Sequence, residues 1–191
     1  SSMNYFENTG SAASPPFVQR TGAANPVGGL FGRATFGDLD GDGDLDLVKG
    51  GYFSGPDYFE NKGSASTPAF VLRTGAQDPL NGKYAGNDPA PALGDLDGDG
   101  DLDLVAGDVY LYGGLYYFEN TGSATSPAFL ARTGAANPLA GVPAPAYSAY
   151  TAVADVDGDG DLEVVTNGVI LIENALQRPS TLPPFAALAG G

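Results

Sequence analysis

Three short loops hold fifteen of the chain's 23 acidic residues. The first sets Asp38, Asp40, Asp42, Asp44 and Asp46 at alternate positions, with Gly41 and Gly43 between them. The second repeats it as Asp95, Asp97, Asp99, Asp101 and Asp103, and the third as Asp155, Asp157, Asp159, Asp161 and Glu163. Alternating oxygens on a loop that glycine lets turn sharply can wrap a hard cation that takes six to eight oxygen ligands. Calcium suits such a flexible, carboxylate-rich cage better than magnesium, which demands near-ideal octahedral geometry. Left bare, two carboxylates ~5 Å apart repel by about 0.8 kcal/mol even at the dielectric constant of water. Several such pairs per loop cost a few kcal/mol, and one divalent ion offsets most of that. The pattern therefore predicts about three calcium ions, one per loop.

The first six loop residues suggest an EF-hand, but the rest of the pattern excludes it. The bidentate Glu at position 12 of an EF-hand would fall at Lys49, Ala106 and Thr166. Strand-like "LDLV" follows the loop where a helix would have to begin. Each loop must close on its own ninth residue.

The loops sit in a repeat. The first recurs after 57 residues and again after 60. Two other motifs keep the same phase: "YFENTGSA" from Tyr5, with copies from Tyr58 and Tyr117 and a worn "LIENALQ" from Leu171, and "PPFVQRTGAANP" from Pro15, with copies from Pro68 and Pro127. "PPFAAL" from Pro183 begins a further copy. Each apolar stretch is short, rich in β-branched or aromatic residues, and bounded by Gly, Pro, Asn or Asp, which is strand punctuation. No window sustains a helical period with caps. Four short antiparallel strands per repeat describe a propeller blade. The expected fold is all-β: an array of about three and a half four-stranded blades, either open or completed by neighbouring chains. Its divisions are a half blade over 1–26 (strands three and four), then blades over 27–80, 81–139 and 140–191.

Composition narrows the function. The net charge of −15 belongs to the loops, because the other eight acids are matched by eight Lys and Arg. That charge argues against nucleic acid or an anionic membrane as partner. Cys and His are both absent, which removes disulfides, the usual zinc ligands and the imidazole of most triads. No apolar run approaches the roughly 18 residues of a transmembrane helix, so membrane insertion is not expected. No Asn-x-Ser/Thr sequon occurs.

The loop in triplicate, with "YFEN" and "RTGAANP" between copies, resembles the FG-GAP/VCBS repeats. These are calcium-binding β-propeller blades, as in integrin α-subunit heads, some fungal propeller lectins and many bacterial surface proteins. The resemblance implies side-chain ligands at loop positions one, three, five and nine, and a backbone carbonyl at position seven. These are Asp38, Asp40, Asp42 and Asp46; Asp95, Asp97, Asp99 and Asp103; Asp155, Asp157, Asp159 and Glu163; with carbonyls from Asp44, Asp101 and Asp161. It also implies an extracellular or surface setting. Glu163 departs from the Asp expected at its position.

The remaining distinctive residues have plainer readings. In "YFEN", alternation should bury Phe and expose Tyr and Glu. Arg20, Arg73 and Arg132 should pair with a nearby acid at a strand end. Tyr110, Tyr112, Tyr116 and Tyr117 form an aromatic group that could hold a sugar or simply pack across strands. Nearly every distinctive residue recurs in phase, as a structural device does, and an enzyme is not expected. The reading is a calcium-stabilised extracellular structural or adhesive repeat protein that self-assembles through unpaired edge strands. Its partners would be copies of itself or further blades. The alternative is a carbohydrate-binding propeller lectin.

Overall fold

The computed structural model of the 191-residue chain describes residues 2–110, 114–142, 149–166 and 170–172. Tyr112 and the copy starting at Pro183 lie outside the described residues, as does most of "LIENALQ". The described residues form thirteen short strands and three single-turn 3-10 helices, with no α-helix. All pairings between strands are antiparallel.

The strands make four sheets in chain order, none closed into a barrel. An N-terminal hairpin joins β1 (Tyr5–Asn8) to β2 (Phe17–Arg20). The first full sheet runs β3 (Ala34–Gly37), β4 (Asp46–Gly51), β5 (Gly55–Asn61), β6 (Phe70–Leu72). The second runs β7 (Pro89–Gly94), β8 (Asp103–Asp108), β9 (Leu115–Asn120), β10 (Phe129–Arg132). The last contains β11 (Thr151–Ala154), β12 (Glu163–Thr166) and β13 (Ile170–Ile172). Each aspartate loop joins the first strand of its sheet to the second, so strands, not helices, flank it.

The core lies between successive sheets rather than inside any one of them. Because side chains alternate along a strand, the "LDLV" segment feeds two different interfaces. Leu47 packs toward the N-terminal hairpin with Val27 and Phe59, while Val48 packs toward the second sheet with Leu104, Phe118 and Phe129. One repeat later, Leu104 faces back and Val105 faces forward to meet Val164 of the last sheet. The 3-10 turns lead into the connections that carry Val27, Leu80 and Leu139, one for each interface. A repeat therefore buries its faces only against its neighbours, which is why the sequence must be periodic.

Two glycines per repeat let the sheets approach. A Cβ on Gly50 would lie 1.9 Å from the Pro89 carbonyl oxygen, and one on Gly107 would lie 2.0 Å from that of Ala149. At the other end of the first strand, Gly37 and Gly94 accept Leu102 and Leu162 from the following sheet, whose methyl groups would sit 2.7 and 3.1 Å from an added Cβ.

The double-sided burial corrects one expectation. Tyr58 and Tyr117 are buried, not exposed, because both faces of the third strand are covered. The Arg residues behave as the sequence suggests: Arg20 pairs with Glu7, Arg73 with Glu60 and Arg132 with Glu119.

Leu104 is completely buried between two sheets. Leu104→Ala should destabilise the chain by about 2–5 kcal/mol through lost transfer energy and a residual cavity, read by urea denaturation. Leu130→Ala, on an exposed strand face, should change stability by less than about 0.5 kcal/mol.

Candidate metal centres

Each loop is shaped by its own carboxylates. In the first, Asp38 accepts hydrogen bonds from the backbone N–H of Gly41 (2.8 Å) and of Gly43 (3.0 Å). Asp40 accepts from Asp42 N–H and Asp42 from Asp44 N–H. The second loop repeats all four bonds through Asp95, Asp97 and Asp99. The third repeats three of them through Asp155, Asp157 and Asp159. Gly41 and Gly43 sit at φ 74° and 91°, a region that L side chains rarely adopt. That requirement fixes where glycine must interrupt the aspartates.

The result is a convergence of oxygens. Asp38, Asp40 and Asp42 place one oxygen each within 4.8 Å of the others, and so do Asp95, Asp97 and Asp99. An ion with ligand bonds of about 2.4 Å spans about 4.8 Å between opposite ligands, so these groups fit a calcium-sized cation. In the third loop Asp155, Asp157 and Glu163 form one such group, and Asp159, Asp161 and Glu163 another. The longer side chain of Glu163 brings position nine into both.

Position nine has a different setting in the first two loops. Asp46 is buried and both its oxygens are held: Oδ1 accepts from Asn61 N–H (2.8 Å), and Oδ2 accepts from Leu39 N–H (3.1 Å) and Tyr58 Oη–H (2.9 Å). Asp103 is held identically by Asn120, Leu96 and Tyr117. These carboxylates tie the loop to the third strand of the same sheet and lie outside the two three-oxygen groups. In the last sheet Glu163 accepts from Val156 N–H (2.7 Å). Position seven is also buried, and Oδ1 of both Asp44 and Asp101 has no hydrogen-bond partner. A buried carboxylate oxygen without a hydrogen-bond partner in each of two matching loops fits a cation-binding loop.

A family model for the FG-GAP-like repeat matches residues 38–106 and again 95–166. The chain belongs to the FG-GAP-like repeat family. Each matched span runs from one aspartate loop through the next, and the two overlap on the second loop. No curated protein and no solved structure matches the chain.

The candidate tyrosines separate. Tyr117 is buried as the donor to Asp103. Tyr116 is half-buried and meets Tyr84 edge-on. Tyr110 is exposed and packs with Tyr52 and Phe53, ring centroids 5.6 and 5.7 Å away. The recurring motifs do not include Tyr52 and Phe53, which lie in the turn between β4 and β5. Phe53 also holds φ at 59°, the one positive φ at a non-glycine residue among those described.

Six carboxylates of the first two loops resist ionisation. Loss of solvation, with repulsion from neighbouring carboxylates behind it, raises Asp40, Asp44, Asp97 and Asp101 above the usual carboxylate range. Burial raises Asp46, and it raises Asp103 to about 7 despite the three hydrogen bonds that oppose it. An acid whose folded pKa is raised binds more protons folded than unfolded, so stability falls as pH rises from about 4 to about 7. In chelator, the melting temperature should therefore drop between pH 5 and pH 7.5. Saturating calcium should flatten or reverse that slope, because a bound cation favours the ionised form.

Proposed function

We propose that the chain is a calcium-stabilised, extracellular structural repeat protein. Asp38, Asp40 and Asp42 hold one ion, Asp95, Asp97 and Asp99 a second, and Asp155, Asp157 and Glu163 a third. The carbonyls of Asp44, Asp101 and Asp161 add the ligand that the family resemblance implies. Asp46 and Asp103, the ninth-position acids that the family resemblance makes ligands, anchor the loop to the third strand. The three converging oxygens, repeated in register, carry this reading.

The role is architectural. Each loop joins the two strands whose outward faces make the contacts between sheets, so a bound ion fixes the surface on which the next sheet packs. The successive packing of β3, β7 and β11 suits a propeller-like arrangement of blades. At roughly 1 mM free calcium, sites of 10⁻⁴–10⁻³ M affinity each add about 0.4–1.4 kcal/mol. Such sites would be nearly empty at cytosolic calcium, which favours the extracellular setting. The expected assembly is with further copies or further blades. A glycan-binding role is the second reading, supported by the exposed Tyr52–Phe53–Tyr110 group.

Calcium at 1 mM should raise the melting temperature several degrees above that in EDTA, and Asp40→Asn with Asp97→Asn should remove most of the gain. An unchanged melting temperature contradicts the proposal. On a glycan array, binding that disappears in Tyr110→Ala would favour the second reading, and an empty array would dismiss it.

A further inference from the structure

The two ends of the described structure expose complementary halves of an interface that the chain uses internally. Between the first and second full sheets, the forward face offers Gly37, Leu39 and Val48, and the returning face offers Leu93 and Leu102. The next interface repeats it with Gly94, Leu96 and Val105 against Val153 and Leu162. Leu39 and Leu96 are 2% and 3% exposed. Their counterpart on the last sheet, Val156, is 54% exposed, and Ala154, the counterpart of Gly37, is exposed too. At the other end, Phe36 and Leu45 are the counterparts of Leu93 and Leu102, and they are 46% and 55% exposed.

Phe36 and Leu45 line a cleft of about 540 Å³ beside the N-terminal hairpin. Ser66 lines it too. One repeat later, the counterpart of Ser66 is Thr125, which lies against Gly41 of the first aspartate loop. The cleft thus has the wall against which an aspartate-loop hairpin sits elsewhere in the chain. Beside it, β1 pairs with β2 alone among the described strands, and none of them lies on its other edge.

The chemistry at that edge matches as well. Tyr58 and Tyr117 donate to the ninth-position acid of their own sheet. Tyr5 occupies the same place in β1 and has no acid partner among the described residues. Glu163 is the ninth-position acid of the last sheet, where Leu171 stands in the tyrosine's register position opposite Val165 and has no donor.

We propose that the chain associates head to tail with a second copy of itself, the β11–β12 hairpin of one copy filling the cleft of the next. Ala154, Val156 and Val165 then cover Phe36 and Leu45. β12 pairs with the open edge of β1, which takes the place of β13, and Tyr5 Oη–H reaches Glu163. The composite sheet has the four-strand order of the two internal ones. The contact is heterologous, so it generates a ring or a filament; two copies in a ring would hold six four-stranded sheets, within the four to eight of closed propellers. This deepens the self-association in the proposed function and needs calcium only to hold the third loop in shape.

The test uses two variants, each spoiling one exposed face outside the loops: Phe36→Arg and Ala154→Arg. In calcium, light scattering should find the parent chain at a multiple of 19.3 kDa and each variant alone at the single-chain mass. Mixing the variants pairs the one intact face of each and should give a two-chain complex. A parent that stays single, variants that still associate, or a mixture that stays single overturns the proposal. Circular dichroism checks that both variants fold. The melting shift of Phe36→Arg/Ala154→Arg with calcium tests the metal sites separately, since it should persist when assembly is lost.

Discussion

Five carboxylates in nine residues can stay folded only if their repulsion is offset, and the rest of the structure follows from how that is done. Backbone N–H groups of the loop take the first share, each Asp turning the chain that carries the next. Glycine is required at the two positive-φ positions for those turns to form. What remains is an array of oxygens converging on a space suited to a divalent cation, with burial that raises the pKa of Asp40 and Asp97 among them. The loop is thus pre-shaped for an ion and electrostatically uncomfortable without one.

That local arrangement reaches the core through position nine. Asp46 and Asp103 connect the loop to the third strand by a backbone amide and a buried tyrosine. The strands that begin at Asp46 and Asp103, β4 and β8, present Leu47, Val48, Leu104 and Val105 to neighbouring sheets. Loop geometry, strand register and contacts between sheets are therefore one connected system. A chain without disulfides, whose sheets have no interior of their own, gains most from fixing such a junction.

Much of this was legible beforehand. The phase of the three motifs marked the strands, the exclusion of helices and the pairing of each repeated Arg with an acid, because each depends on local chemistry repeated in register. The burial of Tyr58 and Tyr117 was missed, since alternation on one strand assumes a single covered face and here both are covered. A signal existed: Asp at position nine accompanies Tyr in "YFEN", whereas Glu163 accompanies Leu171. Of the Tyr52–Phe53–Tyr110 group only Tyr110 was legible, because Tyr52 and Phe53 lie outside the recurring motifs and the group is assembled from turns of two different sheets.

The central claim is that each aspartate loop is a calcium site. Isothermal titration of the chelator-stripped chain with calcium tests it most directly, because it counts ions without relying on stability. The account predicts about three ions per chain, falling by one when Asp95 and Asp97 are both changed to Asn. No binding at millimolar calcium, or a count that the double substitution leaves unchanged, would contradict it.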